Sequence, residues 1–297
     1  MRRTCLLILA VWCVSACTAA LGPAQSHYDA LVLSDRPVAY WALHGDAREP
    51  DLTGHQHQVD RYGAPSSTSL PNGERAARFD GADAYFSARS DPAFSVTTTG
   101  MLTWEAWIRP DVVDFPREST DGYVDFMGKC ATYAPSCEWE ARLYGMRTPQ
   151  GRCGRISAYI FNSSAGLGSA ADWQPECSAV RAAQWLYVVG GYDLTTRPAD
   201  CPDTQRYPGS IEIWVNGARW NSAPHRPTGC MSQYAVSPRA GSSPLLIGTM
   251  ARDTWFKGAI AKVAIYDRLL TQAEIERHFQ AMTGRAVTAH CAVTCTP

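Results

Sequence analysis

The sequence predicts an all-β protein, a two-sheet antiparallel sandwich with one short C-terminal helix, and three observations carry that prediction. The first is Leu102 to Pro110, whose alternation sets Leu102, Trp104, Ala106 and Ile108 on one face and Thr103, Glu105, Trp107 and Arg109 on the other. This is the period-2 pattern of a strand. The second is a long succession of such segments separated by turn signals, without strand-helix-strand alternation, which favours stacked sheets over a doubly wound fold. The third is a late capping box, Thr271-Gln272-Ala273-Glu274, with Leu270 and Ile275 placed as a hydrophobic staple and Gly284 as a C-terminal cap. It predicts one helix over roughly 272–283, docked through Ile275, Phe279 and Met282.

Tyr28 to Leu33 makes a short helical turn that Asp35-Arg36-Pro37 stops, because Pro37 pushes the residue before it out of the helical region. Val38 to Leu43 follows as a strand. Asp46 to Gly73 is polar and turn-rich and reads as a solvated loop, with metal binding by His55 and His57 as the rival reading. Ala76 to Phe79 and Tyr85 to Ala88 are strands, and Asp80-Gly81-Ala82-Asp83 between them predicts a tight hairpin. Pro110 has no amide hydrogen and closes the organising strand. Tyr123 to Lys129, Trp139 to Tyr144 and Arg155 to Phe161 are further strands, the last two paired, whereas Asn162 to Ala183 is an irregular excursion around Trp173 and Cys177. Trp185 to Tyr192 is almost wholly apolar, so it is a central strand covered on both faces, and Gly190-Gly191 permits another segment to approach closely. Ile211 to Val215 ends in Asn216-Gly217, a strong hairpin signal, and Leu245 to Gly248 is a strand. In Phe256 to Tyr266 the apolar positions step by three from Ile260 to Val263 and then by two to Ile265, which predicts a β-bulge.

The 297 residues are 45% hydrophobic and 19% charged, enough for a sizeable core, and the net charge of -1 points to no nucleic-acid partner and no anionic membrane surface. Met1-Arg2-Arg3 followed by the apolar Cys5 to Val14 reads as a secretory signal, too short for a span of roughly 20 residues. Val14-Ser15-Ala16-Cys17 resembles a bacterial lipobox, which makes Cys17 a candidate lipid anchor; cleavage after Ala20 or Ala24 is the alternative. The expected organisation is a signal peptide over 1–24, one domain over 25–284 and a cysteine-containing tail over 285–297. Setting aside Cys5, Cys13 and Cys17 leaves Cys130, Cys137, Cys153, Cys177, Cys201, Cys230, Cys291 and Cys295. An even set in an exported chain reads as four disulfides, and the absence of any Cys-x-x-Cys pair argues against zinc. Eight cysteines allow about 105 pairings, among which pairing of neighbours closes the shortest loops.

The chain resembles the laminin-G-like, concanavalin A-like lectin/glucanase family. The resemblance runs over about residues 28–283 and is carried by Val38 to Leu43 after Asp35-Arg36-Pro37, by Phe79-Asp80-Gly81 with Asp83 and Tyr85, and by Thr103 to Ile108. It continues through Trp185 to Asp193, Ile213 to Gly217, and Phe256 to Tyr266 with its trailing Leu270 to Ile275. It implies a jelly-roll sandwich that binds carbohydrates or other proteins, often with calcium, and in some members hydrolyses glycans. Where the family commonly has Ile-Asp-Glu-Val in the last strand, this chain has Ile260-Ala261-Lys262-Val263, which removes the acidic ligand, so no cofactor is expected there. Asp46, Asp51, Asp80 and Asp83 could offer oxygens to calcium elsewhere, although turn formation explains aspartates in such places.

Glu138 and Glu140 share a strand face, the spacing a glycosidic carboxylate pair requires, but the Glu-x-Asp-x-x-Glu of related glucanases is absent, and a solvated face is the expected role. Neither a Gly-x-Ser-x-Gly elbow nor a His-Glu-x-x-His motif occurs. The expectation is therefore an exported, non-catalytic, lectin-like module that recognises carbohydrate at or outside the cell surface. A protein-binding or adhesion module and a divergent glycoside-active enzyme are the alternatives. The candidate ligand-binding residues are Glu105, Trp107 and Arg109 on one face, where an indole offers a platform for sugar C-H groups and the charges read hydroxyls. Burial of Trp107 beneath the C-terminal helix is the opposing reading, and it would move the site to Trp173, Trp220 and Trp255.

Overall fold

Met101–Pro110 lies at the centre of an eight-stranded sheet, here sheet I, between Leu186–Asp193 and Lys257–Tyr266. The computed structural model describes residues 26–131, 136–162, 168–195, 209–220 and 238–287. Sheet I continues outward through Ser210–Val215 and Ala218–Arg219 on one side and through Arg75–Asp80 and Ser66–Ser69 on the other; Ala39–Trp41 pairs with the far end of Lys257–Tyr266. Sheet II, also eight-stranded, runs in the order Gly168–Trp173, Ile156–Phe161, Trp139–Tyr144, Tyr123–Lys129, Leu245–Ile247, Tyr85–Ala88, Val59–Tyr62, Arg48–Glu49. The pairing is antiparallel in both sheets, as the sandwich prediction requires.

The period-2 reading of the organising strand places its side chains correctly. Leu102, Trp104, Ala106 and Ile108 enter the core between the sheets, beside Phe79, Phe86, Phe126 and Trp139. The opposite face is buried too, because the helices His27–Ser34 and Gln272–Thr283 roof it and form a second apolar layer with Tyr28, Tyr40, Trp107, Tyr187, Ile275 and Met282. Leu186–Asp193 packs beside it, and a Cβ added to Gly190 would lie 2.3 Å from the Trp104 ring, so only glycine admits that indole. Asn216 and Gly217 both have positive φ, 53° and 81°, the geometry of the tight turn that their sequence demands. The bulge in the last strand appears as a register shift between Ala261 and Ala264, with Lys262 at φ 53°. The late helix has its capping box formed and ends on Gly284 at φ 67°.

Three local expectations are corrected. Arg75–Asp80 and Tyr85–Ala88 do not form a hairpin: the first belongs to sheet I and the second to sheet II. Asp80 accepts hydrogen bonds from the amides of Ala82, Asp83 and Ala84, so the Asp-Gly turn is real, but it carries the chain across the edge of the sandwich. Asp46 to Gly73 is not a loop throughout, since Arg48–Glu49, Val59–Tyr62 and Ser66–Ser69 pair at the sheet edges. In the same way Gly168–Trp173, within the predicted excursion, adds an edge strand to Ile156–Phe161. Edge strands satisfy one side of their backbone with a neighbour, so poor local β-formers can be held there by tertiary pairing.

Cys130–Cys137 and Cys153–Cys177 are disulfide-bonded, two of the neighbour pairings. Cys17, Cys201, Cys230, Cys291 and Cys295 lie outside the described residues. Among the described residues no helix is long and apolar enough to cross a membrane.

Candidate functional site

The outer face of sheet I brings Glu105 and Trp107 together but does not leave them open. Trp107 is 1% exposed and Glu105 0%. The Trp107 ring stacks on Tyr187 at 5.1 Å and on Phe279 of the C-terminal helix at 6.1 Å, and its Nε1 donates to Tyr28 Oη at 3.0 Å. Glu105 accepts from the Tyr187 and Tyr266 hydroxyls and is ion-paired with His278 Nδ1 at 2.9 Å, while His278 Nε2 meets Asp35 at 2.9 Å. Burial alone lowers the His278 pKa, but Glu105 and Asp35 more than offset it and hold it above the ordinary value. Of the two readings of this face, burial beneath the C-terminal helix is the one that holds, and Trp107 and Glu105 tie both helices to the sheet. Arg109, at the end of the strand, reaches Asp111 at 3.2 Å and lies over the Trp185 ring.

The other tryptophans also pack. Trp173 is 8% exposed and meets Trp220 edge-on at 6.3 Å, closing the core where an edge strand of sheet II approaches sheet I. Trp255, 5% exposed, lies beneath the Arg117 guanidinium at 5.1 Å.

On sheet II the two glutamates expected on a solvated face are both fully buried, and they do not form a pair. Glu138 precedes its strand and accepts from Lys129 Nζ at 2.7 Å, Ser95 Oγ at 2.6 Å and the Gly241 amide at 2.6 Å. Glu140 faces the other way from Trp139 and Ala141, whose side chains fill the core, and is ion-paired with Arg142. Asp125, on the neighbouring strand, is directly opposite Arg142, whose Nε lies 4.0 Å from its carboxylate. The Arg142 guanidinium is clamped between aromatic rings, 3.7 Å from the Tyr159 centroid and 4.4 Å from that of Tyr123.

Burial pushes Glu140 well above the usual carboxylate range, with Arg142 opposing and Asp125 reinforcing the shift; burial likewise takes Asp125 up to about 6. Two buried carboxyl groups beside one guanidinium do not both ionise readily. Among the described residues Asp125 Oδ1, Glu140 Oε2 and Arg142 Nε have no hydrogen-bond partner. Such atoms are rare in native interiors, and Arg109 Nε, Glu118 Oε2 and Trp255 Nε1 are further cases. No motif marked this cluster in the sequence; its one signal is a Glu-x-Arg alternation beside a strand carrying Tyr159 and Phe161 at period 2.

The oxygens available for calcium are mostly committed. Asp80 caps its own turn, and Asp51 accepts from the Tyr40, Thr53 and His57 amides. At the departure in the last strand, Lys262 Nζ pairs with Asp29 at 2.7 Å and also with Glu74, so a fixed ammonium supplies the positive charge. His55 and His57 both bond the Val38 carbonyl, at 2.9 and 3.1 Å. His44, Asp46 and Glu49 bring ligand atoms within 4.8 Å of one another, but Glu49 already accepts the Gly45 and Asp46 amides. These residues do not fit calcium.

No curated protein matches the sequence. Solved structures share the fold. The botulinum neurotoxin serotype D ligand-binding domain, in complex with N-acetylneuraminic acid, aligns with TM-score 0.58 and 9% identity over 84% of this chain and 52% of that one. The botulinum neurotoxin DC binding domain in complex with rat synaptotagmin II aligns with TM-score 0.55 and 11% identity, over 84% and 52%. The binding domain of Paraclostridial Mosquitocidal Protein 1 aligns with TM-score 0.54 and 14% identity, over 84% and 53%. The chain spans about half the length of these domains. At such identities the likeness shows the fold alone. Residues 80–276 match the laminin-G-type family described as the concanavalin A-like lectin/glucanases superfamily, and to that superfamily the chain belongs.

Proposed function

We propose that this protein is an exported, non-catalytic, lectin-like binding module that recognises carbohydrate, and that the outer face of sheet II is its recognition surface. One observation carries the reading: Arg142, held between Tyr159 and Tyr123, stands with Glu140 and Asp125 in a buried cluster that leaves both donors and acceptors unpartnered. An unmade buried hydrogen bond costs about 1–3 kcal/mol, and sugar hydroxyls both donate and accept, so a saccharide can satisfy both kinds of atom at once. Tyrosine faces beside them suit the C-H face of a pyranose. The neurotoxin relative with bound N-acetylneuraminic acid supports a saccharide, whereas the one bound to synaptotagmin supports the second reading, a protein-binding module.

Hydrolysis is disfavoured by geometry. A glycosidase holds its carboxyl groups about 5 to 9.5 Å apart so that the sugar fits between them. Asp125 and Glu140 are instead fully buried about the one Arg142 guanidinium, which leaves no such room.

The test is a glycan array with the full chain and with Arg142→Lys, which keeps the charge but loses the planar fork. Glycan binding by the wild type that the variant loses, with melting preserved, supports the proposal. Capture of a cell-surface protein without glycan binding favours the second reading, and release of sugar from a polymer overturns the non-catalytic assignment. Export draws support from the two disulfides. If Cys17 is lipidated, Cys17→Ala releases the protein from membrane fractions; unchanged partitioning leaves it simply secreted.

A further inference from the structure

A pocket of ≈ 330 Å³ opens at the roofed side of the molecule, where the C-terminal helix meets the ends of the sheet I strands. Its volume is in the range of small-molecule sites, roughly 300–1,000 Å³. Trp107, Trp185 and Phe279 supply its aromatic wall, and Gln184, Asn216 and Arg285 its hydrogen-bonding groups.

The aromatic wall is held in place. Phe279 lies parallel to Trp107 with 7° between the rings, and the edge of the otherwise buried Trp107 reaches the pocket. Trp185 is half-buried: its Nε1 donates to the Ser69 carbonyl at 3.1 Å and Arg109 lies over its ring at 5.7 Å. The indole is thereby fixed at the pocket while part of it stays accessible. Asn216 Oδ1 accepts the Tyr187 amide at 3.0 Å, which aims the remaining Nδ2 as a donor of set direction. Arg285 follows the left-handed Gly284 cap, and its own amide donates to Thr283 Oγ1 at 3.1 Å, so its backbone is anchored at the rim. The Gln184 and Arg285 side chains are exposed, and no carboxylate lines the pocket among the described residues.

Fixed aromatic faces, two amides and one guanidinium with no acidic neighbour make a distinct chemical request. We propose that this pocket binds a carboxylate-bearing pyranose, a uronic or sialic acid unit, as a saccharide site separate from the face of sheet II. Trp185 receives the C-H face of the ring, Gln184 and Asn216 read hydroxyls, and Arg285 pairs with the carboxylate as a planar fork. The site stands on its own residues and does not depend on the Arg142 cluster.

Titration of the full-length protein with D-glucuronate, N-acetylneuraminate and D-glucose, followed by tryptophan fluorescence and calorimetry, tests it. Both acid sugars are expected to quench or shift the emission and to bind more tightly than glucose. The two acids compared with each other distinguish the uronic from the sialic source. Arg285→Gln is expected to weaken acid-sugar binding about tenfold or more, as loss of one charge-assisted hydrogen bond does, and to leave glucose binding unchanged. Trp185→Ala should abolish all three; if it fails to fold, Arg285→Gln and Gln184→Ala, both at exposed positions, still decide. Arg142→Lys should leave these titrations unaltered, which separates failure of this site from failure of the sheet II reading. Absence of acid-sugar binding by the wild type, or Arg285→Gln binding as the wild type does, overturns the proposal.

Discussion

Glu105 on sheet I and Glu140 on sheet II are both fully buried carboxylates on outward faces, and their surroundings differ. Glu105 is met by two tyrosine hydroxyls and by His278, groups drawn from neighbouring strands and from the roofing helix. Glu140 and Asp125 share one guanidinium and keep atoms without partners. Burial of charge therefore does not distinguish a structural network from a ligand site. Satisfaction does: a completed network specifies packing, whereas an incomplete one carries a cost that a ligand can relieve.

Four changes break or sharpen that contrast. The largest effect is expected of Trp107→Ala, which empties the layer between sheet I and its helix and should cost about 3–5 kcal/mol in chemical denaturation. A loss under about 1 kcal/mol would mean that the roof does not depend on this indole.

Glu105→Gln comes next, at about 2–3 kcal/mol, because it removes the charge that His278 and two hydroxyls face. His278 also gives this face a pH signature. Its folded pKa is raised, so its stabilisation is complete below about 6.5 and fades as pH rises through the raised folded value. Melting curves from acid to alkaline pH should show that decline in the wild type and a flatter profile in Glu105→Gln; identical profiles would place the titration elsewhere.

Asp125→Asn should have the opposite sign. A carboxyl raised from 3.8 to about 6 binds its proton more tightly when folded, so the wild type loses stability as pH rises between those values. Above pH 6 the asparagine variant should be more stable than wild type by on the order of 2 kcal/mol, with no gain near pH 4. A variant less stable than wild type at both pH values would show that the sheet II cluster is as fully satisfied as that of sheet I.

Thr271→Ala is the smallest, about 1 kcal/mol, since it deletes one cap of the roofing helix. Hydrogen exchange should localise the loss to Gln272–Thr283, and protection changes on sheet II would contradict the separation of the two faces.

Much of the fold was legible where a local rule decides it. The capping box set the helix, Asn216-Gly217 set its turn, and the three-residue step from Ile260 to Val263 announced the bulge. Partners were less legible. Asp80-Gly81 announced a turn, but the same turn chemistry serves a hairpin or a crossing between sheets, and only pairing with Lys257–Tyr266 or Leu245–Ile247 distinguishes them. The candidate site was the least legible. Charged residues alternating with apolar ones read as a solvated face whether water, a helix or tyrosines of the next strand cover them, and Glu138 escaped even the alternation by turning to Lys129.

By itself, the sequence determined that the chain forms a sandwich, that Trp104 faces the core and Trp107 faces away from it, and where the last helix begins and ends. These depend on period, capping and turn chemistry, which act over a few residues. Tertiary structure alone decided that two helices cover Trp107, that Lys262 neutralises Asp29 and Glu74, and that Arg142 sits between Tyr159 and Tyr123 beside Asp125 and Glu140. Those outcomes depend on which distant segment arrives on a given face. Period 2 specifies two faces and is silent on what each will meet.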